Sequence, residues 1–330
     1  MINYGIYGIG AALVDTEIEV NNHELSAINI EKGVMTLVDQ ARQQALIEYF
    51  HQQVKHSRQV CGGSAANSII AAQYFGSPTF FSCQIAKDSF GKTFASELTK
   101  AGIDTQALRD AKEGVTGKCL VMITPDAERT MNTHLGISET FSIANIDTTA
   151  LQSSKFVYIE GYLVTSTTGK PAAIFTRKQA QAKGVKVALS LSDPAMATYF
   201  RDGIKEIIGE KIDWIFCNHA EALAFTEQAT IEEAAMTLGH YSRNFVITCG
   251  KEPTWVFDGN KIQYIHTQAV KAIDTNGAGD MFAGAFLAAL DQGKSAADAA
   301  AFANRAAAVV VSQFGPRLSA EQYRELKAYM

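Results

Sequence analysis

The sequence predicts an α/β protein: a largely parallel β-sheet with helices on both faces, and a small second sheet inserted into the same domain. Short runs rich in β-branched and aromatic residues alternate with longer amphipathic or alanine-rich segments, and from Phe156 onward the order is strand, helix, strand, helix, strand. Parallel neighbours need such crossovers, and burial on both faces explains why the strand runs are continuously apolar. The second sheet follows from two stretches that break this alternation. Val14 to Asp39 alternates polar and apolar residues without a helical stripe. Gly117 to Leu135 reads as a hairpin: Cys119-Leu-Val-Met-Ile-Thr, a Pro125-Asp-Ala-Glu turn, then Thr130-Met-Asn-Thr-His-Leu.

Taken in order along the chain, the expected strands of the main sheet are Tyr4–Ile9, Thr79–Ile85, Phe156–Ile159, Lys186–Leu191, Trp214–Cys217, Phe245–Thr248 and Thr254–Phe257. The expected helices are Ala65–Tyr74, Phe90–Ala101, Lys170–Lys183, Glu221–Phe225, Ile231–Tyr241, Met281–Leu290 and Ser295–Ser312. No internal repeat and no low-complexity linker divides the chain. The expectation is therefore one domain over residues 1–330, with a lid formed by about 14–39 and 115–136 inserted in it.

Composition narrows the function classes. Of 330 residues, 47% are hydrophobic and 19% charged, enough apolar material for a large core. A net charge of −5 supplies no global attraction for nucleic acid or an anionic membrane, so neither partner is expected. Five scattered cysteines, with no CxxC pair, do not form a disulfide scaffold or a structural zinc site, and seven histidines contain no HExxH pair. The N-terminus lacks the basic flank and apolar core of a signal peptide, and the apolar stretch Met281 to Leu290 is too short to span a bilayer. These observations point to a cytoplasmic protein.

The chemistry-bearing feature is Asp274-Thr-Asn-Gly-Ala-Gly-Asp280, followed by a long apolar helix. Its glycines let the backbone turn tightly and let a ligand approach the main chain. The first amides of the helix lack intrahelical acceptors and carry the positive end of its dipole, a ready cradle for phosphate oxygens or a developing anion. A carboxylate at the same place can take a proton from an attacking hydroxyl. Cradle and base together are what phosphoryl transfer from ATP to an alcohol needs. A bare GxGD has a plainer explanation, because Asp near a helix N-terminus is a common cap.

The complete run is more specific. Asp274-Thr-Asn-Gly-Ala-Gly-Asp280 resembles the C-terminal signature of the ribokinase-like (PfkB) carbohydrate and nucleoside kinases. Gly62-Gly-Ser-Ala-Ala-Asn67, followed by Lys87-Asp-Ser-Phe-Gly91 and Ala101-Gly-Ile103, resembles the N-terminal signature. The resemblance runs from about Tyr4 to Pro316. It implies a three-layer α/β/α sandwich with a mainly parallel central sheet and a small β-sheet lid. It also implies ATP as phosphoryl donor, with Mg²⁺. Asp280 is then the catalytic base and Gly277, Ala278 and Gly279 line the anion hole.

Other assignments follow from the same resemblance. Asn218-His-Ala-Glu221 resembles the NxxE motif, with Glu221 holding Mg²⁺ through water; a helix-start Asn with an exposed Glu is the plainer alternative. Thr248 and Gly250 fall in a strand-to-loop turn beside the nucleotide, and Asn304 falls near the adenine. Asp274 and Asn276 match the region where some relatives bind K⁺; the sequence leaves K⁺ dependence open. Asp15, Gly62, Gly63 and Asn67 match substrate-side positions, although Asp15 also suits a simple turn. Relatives include monomers and homodimers formed through the lid, and both remain open.

For the acceptor, the resemblance is closest to adenosine kinases, through Gly8-Ile-Gly-Ala-Ala-Leu-Val-Asp15 and Tyr158-Ile-Glu-Gly161-Tyr162-Leu-Val-Thr165. Tyr162 supplies an aromatic face for a purine, and Met131 and Leu135 supply apolar walls. Ala11 departs from that branch, which usually carries Asn there. Arg129 occurs in sugar-kinase lids and equally suits an exposed hairpin charge. The alternatives are a sugar or sugar-acid kinase and a kinase-like binding protein without catalysis; intact Gly277, Gly279 and Asp280 speak against the latter. Two further patterns are set aside. Phe90-Gly-Lys-Thr93 ends like a phosphate-binding loop but has Ala86 where that pattern needs Gly, and Gly8-x-Gly10 lacks the third glycine of a dinucleotide fingerprint.

Overall fold

The structure, a computed structural model, describes residues 3–55 and 57–330. The main sheet contains β1 (Tyr4–Ile9), β5 (Thr79–Ser82), β8 (Ser154–Ile159), β9 (Lys186–Ser190), β10 (Ile212–Asn218), β11 (Ser242–Cys249), β12 (Glu252–Phe257) and β13 (Ile262–Ile265). Their spatial order is β13-β12-β11-β10-β9-β8-β1-β5; the run from β11 to β5 is parallel, and β12 and β13 add an antiparallel edge.

Alternation along each central strand feeds two cores. On β1, Ile6 packs with one core and Tyr7 with the other; on β8, Phe156 and Tyr158 face one side and Val157 and Ile159 the opposite side. The helices Ser64–Tyr74, Ser89–Ala101, Ala278–Asp291 and Ala296–Val311 cover the first face. Gly169–Ala182, Arg201–Ile208, His219–Thr226 and Ile231–Tyr241 cover the second. The result is a three-layer α/β/α sandwich, as the strand pattern implied.

Most expected elements recur within a few residues. Thr79–Ile85 is shortened to Thr79–Ser82, β13 and the helices Pro194–Tyr199, Arg201–Ile208 and Ala320–Lys327 were not expected, and the stretch after Val14 contains a helix, Asn22–Ala27. That helix is brief and held by a capping box between Asn21 and Glu24, so it has too few turns to show a stripe.

The second sheet contains β2 (Leu13–Glu19), β3 (Met35–Leu37), β4 (Arg58–Gly62), β6 (Gly117–Ile123) and β7 (Arg129–His134), in the order β3-β7-β6-β2-β4. The hairpin pairs Lys118 with His134 through to Ile123 with Arg129. β4 lies outside both stretches expected to form this sheet and pairs antiparallel with β2, opposing Leu13 to Gly62. One face of the sheet packs Ile18, Val20, Leu120 and Met122 on Leu25, Leu46 and Phe50 of its own helices; the other turns Leu13, Asp15, Cys119 and Met131 to a cleft. Among the described residues, no helix is long and apolar enough to cross a membrane.

Candidate active site

The cleft lies between the second sheet and the C-terminal ends of β1 and β8, where open parallel sheets gather ligands. Asp280 forms its floor. It occupies the third position of the helix Ala278–Asp291, which Gly277 opens in the left-handed region at φ 75°. Ser64 Oγ donates to Asp280 Oδ1 at 2.6 Å and Asn67 Nδ2 donates to Oδ2 at 2.9 Å. Burial raises the Asp280 carboxyl above its ordinary value, opposed by these two hydrogen bonds and by the charges of Arg129 and Arg317. In the turn before it, the Ala278 amide donates to Thr275 O at 3.3 Å, and the next two amides head the helix.

Both donors to Asp280 belong to the helix Ser64–Tyr74, whose N-cap is Gly63. Gly63 has φ 93°, and a Cβ there would stand 2.4 Å from Ala11 O, so the position admits no side chain. The amides near this helix start converge on a carboxylate that sequence reasoning passed over. Glu160, at the end of β8, accepts from Ala65 N at 2.8 Å and Ala11 N at 3.3 Å. Burial moves it up to about 7, against those backbone bonds. It stood within the run Tyr158-Ile-Glu-Gly161; a charge closing an apolar strand was the available signal.

Asp15 reaches the cleft from β2, buried against Gly62. Burial first, and Glu17 second, raise its carboxyl to about 8, against the pull of Arg317. Gly63, Asn67, Met131, Leu135 and Tyr162 line the same cleft, together with Leu13, Met35 and Leu37. The Tyr162 hydroxyl donates to Ser192 O at 3.2 Å, which fixes its ring along the wall. Ala11 also lines the cleft.

Arg129 is not an outward hairpin charge. It lines the cleft half-buried, and Asp280, Asp193 and Glu221 all feel its charge. Among the described residues none of these acids comes within ion-pair distance of it. Asp193 caps the helix Pro194–Tyr199, accepting from Ala195 N at 2.7 Å. Its signal was Asp193-Pro194 at a helix start.

Asn218 and Glu221 form a capping box: Glu221 N donates to Asn218 Oδ1 at 2.9 Å, Asn218 N to Glu221 Oε2 at 3.1 Å and Asn218 Nδ2 to Glu221 Oε1 at 2.7 Å. Glu221 is buried, not exposed, and burial lifts it to about 7. Across the sheet Asn218 pairs with Thr248, and Gly250 follows in a left-handed turn at φ 61°. Asn304 stands apart from the Asp280 cleft: it accepts from Thr254 Oγ1 at 2.8 Å and donates to Ile265 O and His266 O, tying its helix to β12 and the end of β13.

Asp274 is fully buried; its Oδ1 accepts from Asn276 N at 2.8 Å and its Oδ2 from Gly315 N at 2.9 Å. Asn276 Nδ2 donates to Glu17 Oε1 at 3.3 Å. Thr275 Oγ1 donates to Ala127 O at 3.1 Å, linking the run to the hairpin turn of the second sheet. Of the two patterns set aside, Gly91 belongs to a helix start capped by Asp88, and Gly10 lies against Glu160 and Ala65.

The family model for pfkB family carbohydrate kinases matches residues 35–322. Adenosine kinase 1 of Arabidopsis thaliana is 27% identical over 341 residues, covering 94% of each chain. Among solved structures, a probable sugar kinase from Rhizobium etli CFN 42 superposes with a TM-score of 0.93 at 26% identity, covering 100% of both chains. The adenosine kinase of Sinorhizobium meliloti superposes at 0.91 and 27% identity, covering 98% of this chain and 99% of its own.

Proposed function

The chain belongs to the pfkB family of carbohydrate kinases, ATP-dependent phosphotransferases, and from that premise we propose that it phosphorylates the 5′-hydroxyl of a nucleoside, adenosine first among them. The observation that carries the acceptor class is the two-part cleft. It sets the polar groups of Asp280, Asn67 and Asp15 beside a cluster of apolar side chains, Leu13, Met35, Leu37, Met131, Leu135 and the ring of Tyr162, with further hydroxyls and Arg129 between them. A free sugar presents hydroxyls on every side and gains little from such a cluster, whereas a nucleoside joins a polyol to a flat apolar base. The similarity to two adenosine kinases agrees. The similarity to a probable sugar kinase, with Ala11 in place of the usual Asn, favours a sugar or sugar acid as second reading.

In this reading Asp15 and Asn67 hold the acceptor hydroxyls. Asp280 receives the proton of the attacking hydroxyl as the new O–P bond forms on the γ-phosphorus, and the bond to the bridging oxygen breaks with its electrons leaving on ADP. The amides at the start of the helix Ala278–Asp291, and Arg129 in the same cleft, are the groups that meet the charge on the transferring group. The second sheet acts as a lid that keeps water from the donor.

The family uses a divalent metal with ATP, and we assign Mg²⁺. Among the described residues no three acidic, His or Cys side chains converge as direct ligands, which fits an ion held mainly by phosphates and water. Glu221 and Asp193, whose charge Glu221 feels, would hold that water shell, and the ion would supply charge neutralisation on the phosphates. A K⁺ ion would meet the backbone near Asp274 and Asn276, whose side chains are already engaged. Because the outer face of the lid sheet is covered by its own helices, we favour a monomer over a dimer through the lid. We also favour the cytoplasm, where ATP and nucleosides occur.

The test is ADP release with Mg·ATP and, in separate reactions, adenosine, inosine, ribose, fructose and 2-keto-3-deoxygluconate. The nucleoside reading expects adenosine or inosine to give the highest kcat/KM and a 5′-monophosphate as product. Highest turnover with one of the three others would overturn it.

A further inference from the structure

We propose that Arg317, anchored by Glu97, is a positioning residue for Asp280, acting through the amide of Asn67. This inference rests on the reading of Asp280 as the base. Arg317 Nε donates to Asn67 Oδ1 at 3.0 Å, and Arg317 Nη1 donates to Glu97 Oε2 at 2.9 Å. Asn67 Nδ2 in turn donates to Asp280 Oδ2 at 2.9 Å. The chain of contacts has one orientation. A guanidinium only donates, so it must meet the amide oxygen, and an ionised carboxylate only accepts, so it must meet the amide nitrogen. Asn67 is 5% exposed, so a lost partner is not replaced by bulk water. Without Arg317 the amide oxygen is left without its partner, and the side chain has reason to rotate, taking Nδ2 away from Asp280.

The segment that carries Arg317 touches the site at two more points. The Gly315 amide binds Asp274, and Pro316 packs so closely on Gly277 that a Cβ there would stand 2.5 Å from the proline Cβ. Gly315-Pro316-Arg317 therefore braces the first residue of the 274–280 run, the turn before the helix, and the base at its end. Glu97 fixes the far side of the guanidinium from the helix Ser89–Ala101. The Arg317 charge also pulls the Asp280 and Asp15 carboxyls down against burial.

The experiment compares wild type, Arg317→Met, Arg317→Lys and Asp280→Asn for kcat, both KM values and the pH profile of kcat/KM, using the best acceptor of the panel and Mg·ATP. Arg317→Met is expected to lower kcat about ten-fold or more with KM for ATP within about two-fold. Its acidic limb should move up by about half a pH unit or more, because loss of a cation raises the pKa of the base. Arg317→Lys keeps the charge but cannot hold Asn67 and Glu97 together. It should leave the limb in place and lower kcat about three-fold or more. Folded Arg317→Met with wild-type kcat and limb, beside inactive Asp280→Asn, overturns the positioning role alone. If Arg317→Met does not fold, wild-type kcat in Arg317→Lys overturns it. Activity in Asp280→Asn near wild type overturns the base reading, and this inference with it.

Discussion

Asp15 lies against Gly62 so closely that a Cβ on Gly62 would stand 2.0 Å from Asp15 Oδ2. The two residues are diagonal neighbours across the β2–β4 pairing, in which Val60 opposes Asp15 and Gly62 opposes Leu13. A side chain at 62 must push the carboxylate toward the cleft. Gly62→Ala is therefore expected to raise KM for the acceptor by about 10- to 100-fold, since an ångström of misplacement costs that much. KM for ATP should change little. Steady-state kinetics varying each substrate in turn checks this, and an unchanged acceptor KM contradicts it.

The raised pKa of Asp15 makes stability depend on pH. In the unfolded chain the group keeps its ordinary value of 3.8, and in the folded protein burial raises it to about 8. Between those values the folded state holds a proton that the unfolded state has lost, so ionisation of Asp15 makes stability fall as pH rises through the window. Asn cannot ionise. The stability of Asp15→Asn relative to wild type should therefore grow between pH 5 and pH 8.5 by about 1 kcal/mol or more, one pKa unit being worth about 1.4 kcal/mol. Urea denaturation of the ligand-free proteins at both pH values measures it; a gap that does not change with pH contradicts the account.

Glu160 satisfies two buried amides, that of Ala65 at the start of the helix that presents Ser64 and Asn67 and that of Ala11 in the segment after β1. Removing the acceptor leaves both unpaired. Glu160→Ala is expected to lose about 1–3 kcal/mol of stability, the cost of stranding buried polar groups. It should also lose kcat, because the helix start carries the contacts to Asp280. A variant with normal stability and normal kcat would show that these bonds carry neither.

Arg129 sits in a field of acids without an ion pair among the described residues, as expected of a cation waiting for an anionic ligand. Arg129→Met is expected to lower kcat about 10²–10³-fold, the usual cost of one lost charge-stabilising donor, while thermal stability stays near wild type. Melting curves and single-turnover rates separate the two effects. A large fall in melting temperature with an unchanged rate would assign Arg129 to the fold.

Much of this arrangement is legible along the chain because it is local. β1 is Tyr4–Ile9 in both sequence and structure, and the hairpin turn at Pro125–Glu128 follows from its residues. The run to Asp280 and the run to Asn67 each carry their own signature, and the structure brings their ends within a hydrogen bond. What escaped depends on contacts between distant segments. β4 is a short strand, Arg-Gln-Val-Cys-Gly, whose place is set by pairing with β2. Arg317 lies 250 residues from Asn67, in a segment with no motif of its own. Arg129 was ambiguous because a hairpin charge points either outward or into a cleft, and only the packing of one sheet over the other decides which. Asn304, whose family position falls near the adenine, bonds to Thr254, Ile265 and His266, contacts that depend on how its helix packs on the sheet edge and that no local pattern announces.

The most direct test of the account is kcat for Asp280→Asn, measured beside acceptor binding by calorimetry. Asn keeps the shape of the side chain and cannot take the proton. The account predicts a fall in kcat of at least about 10²–10⁴-fold, the usual contribution of a general base, with the acceptor still bound. A variant that binds its acceptor and turns over within a few-fold of wild type would contradict it.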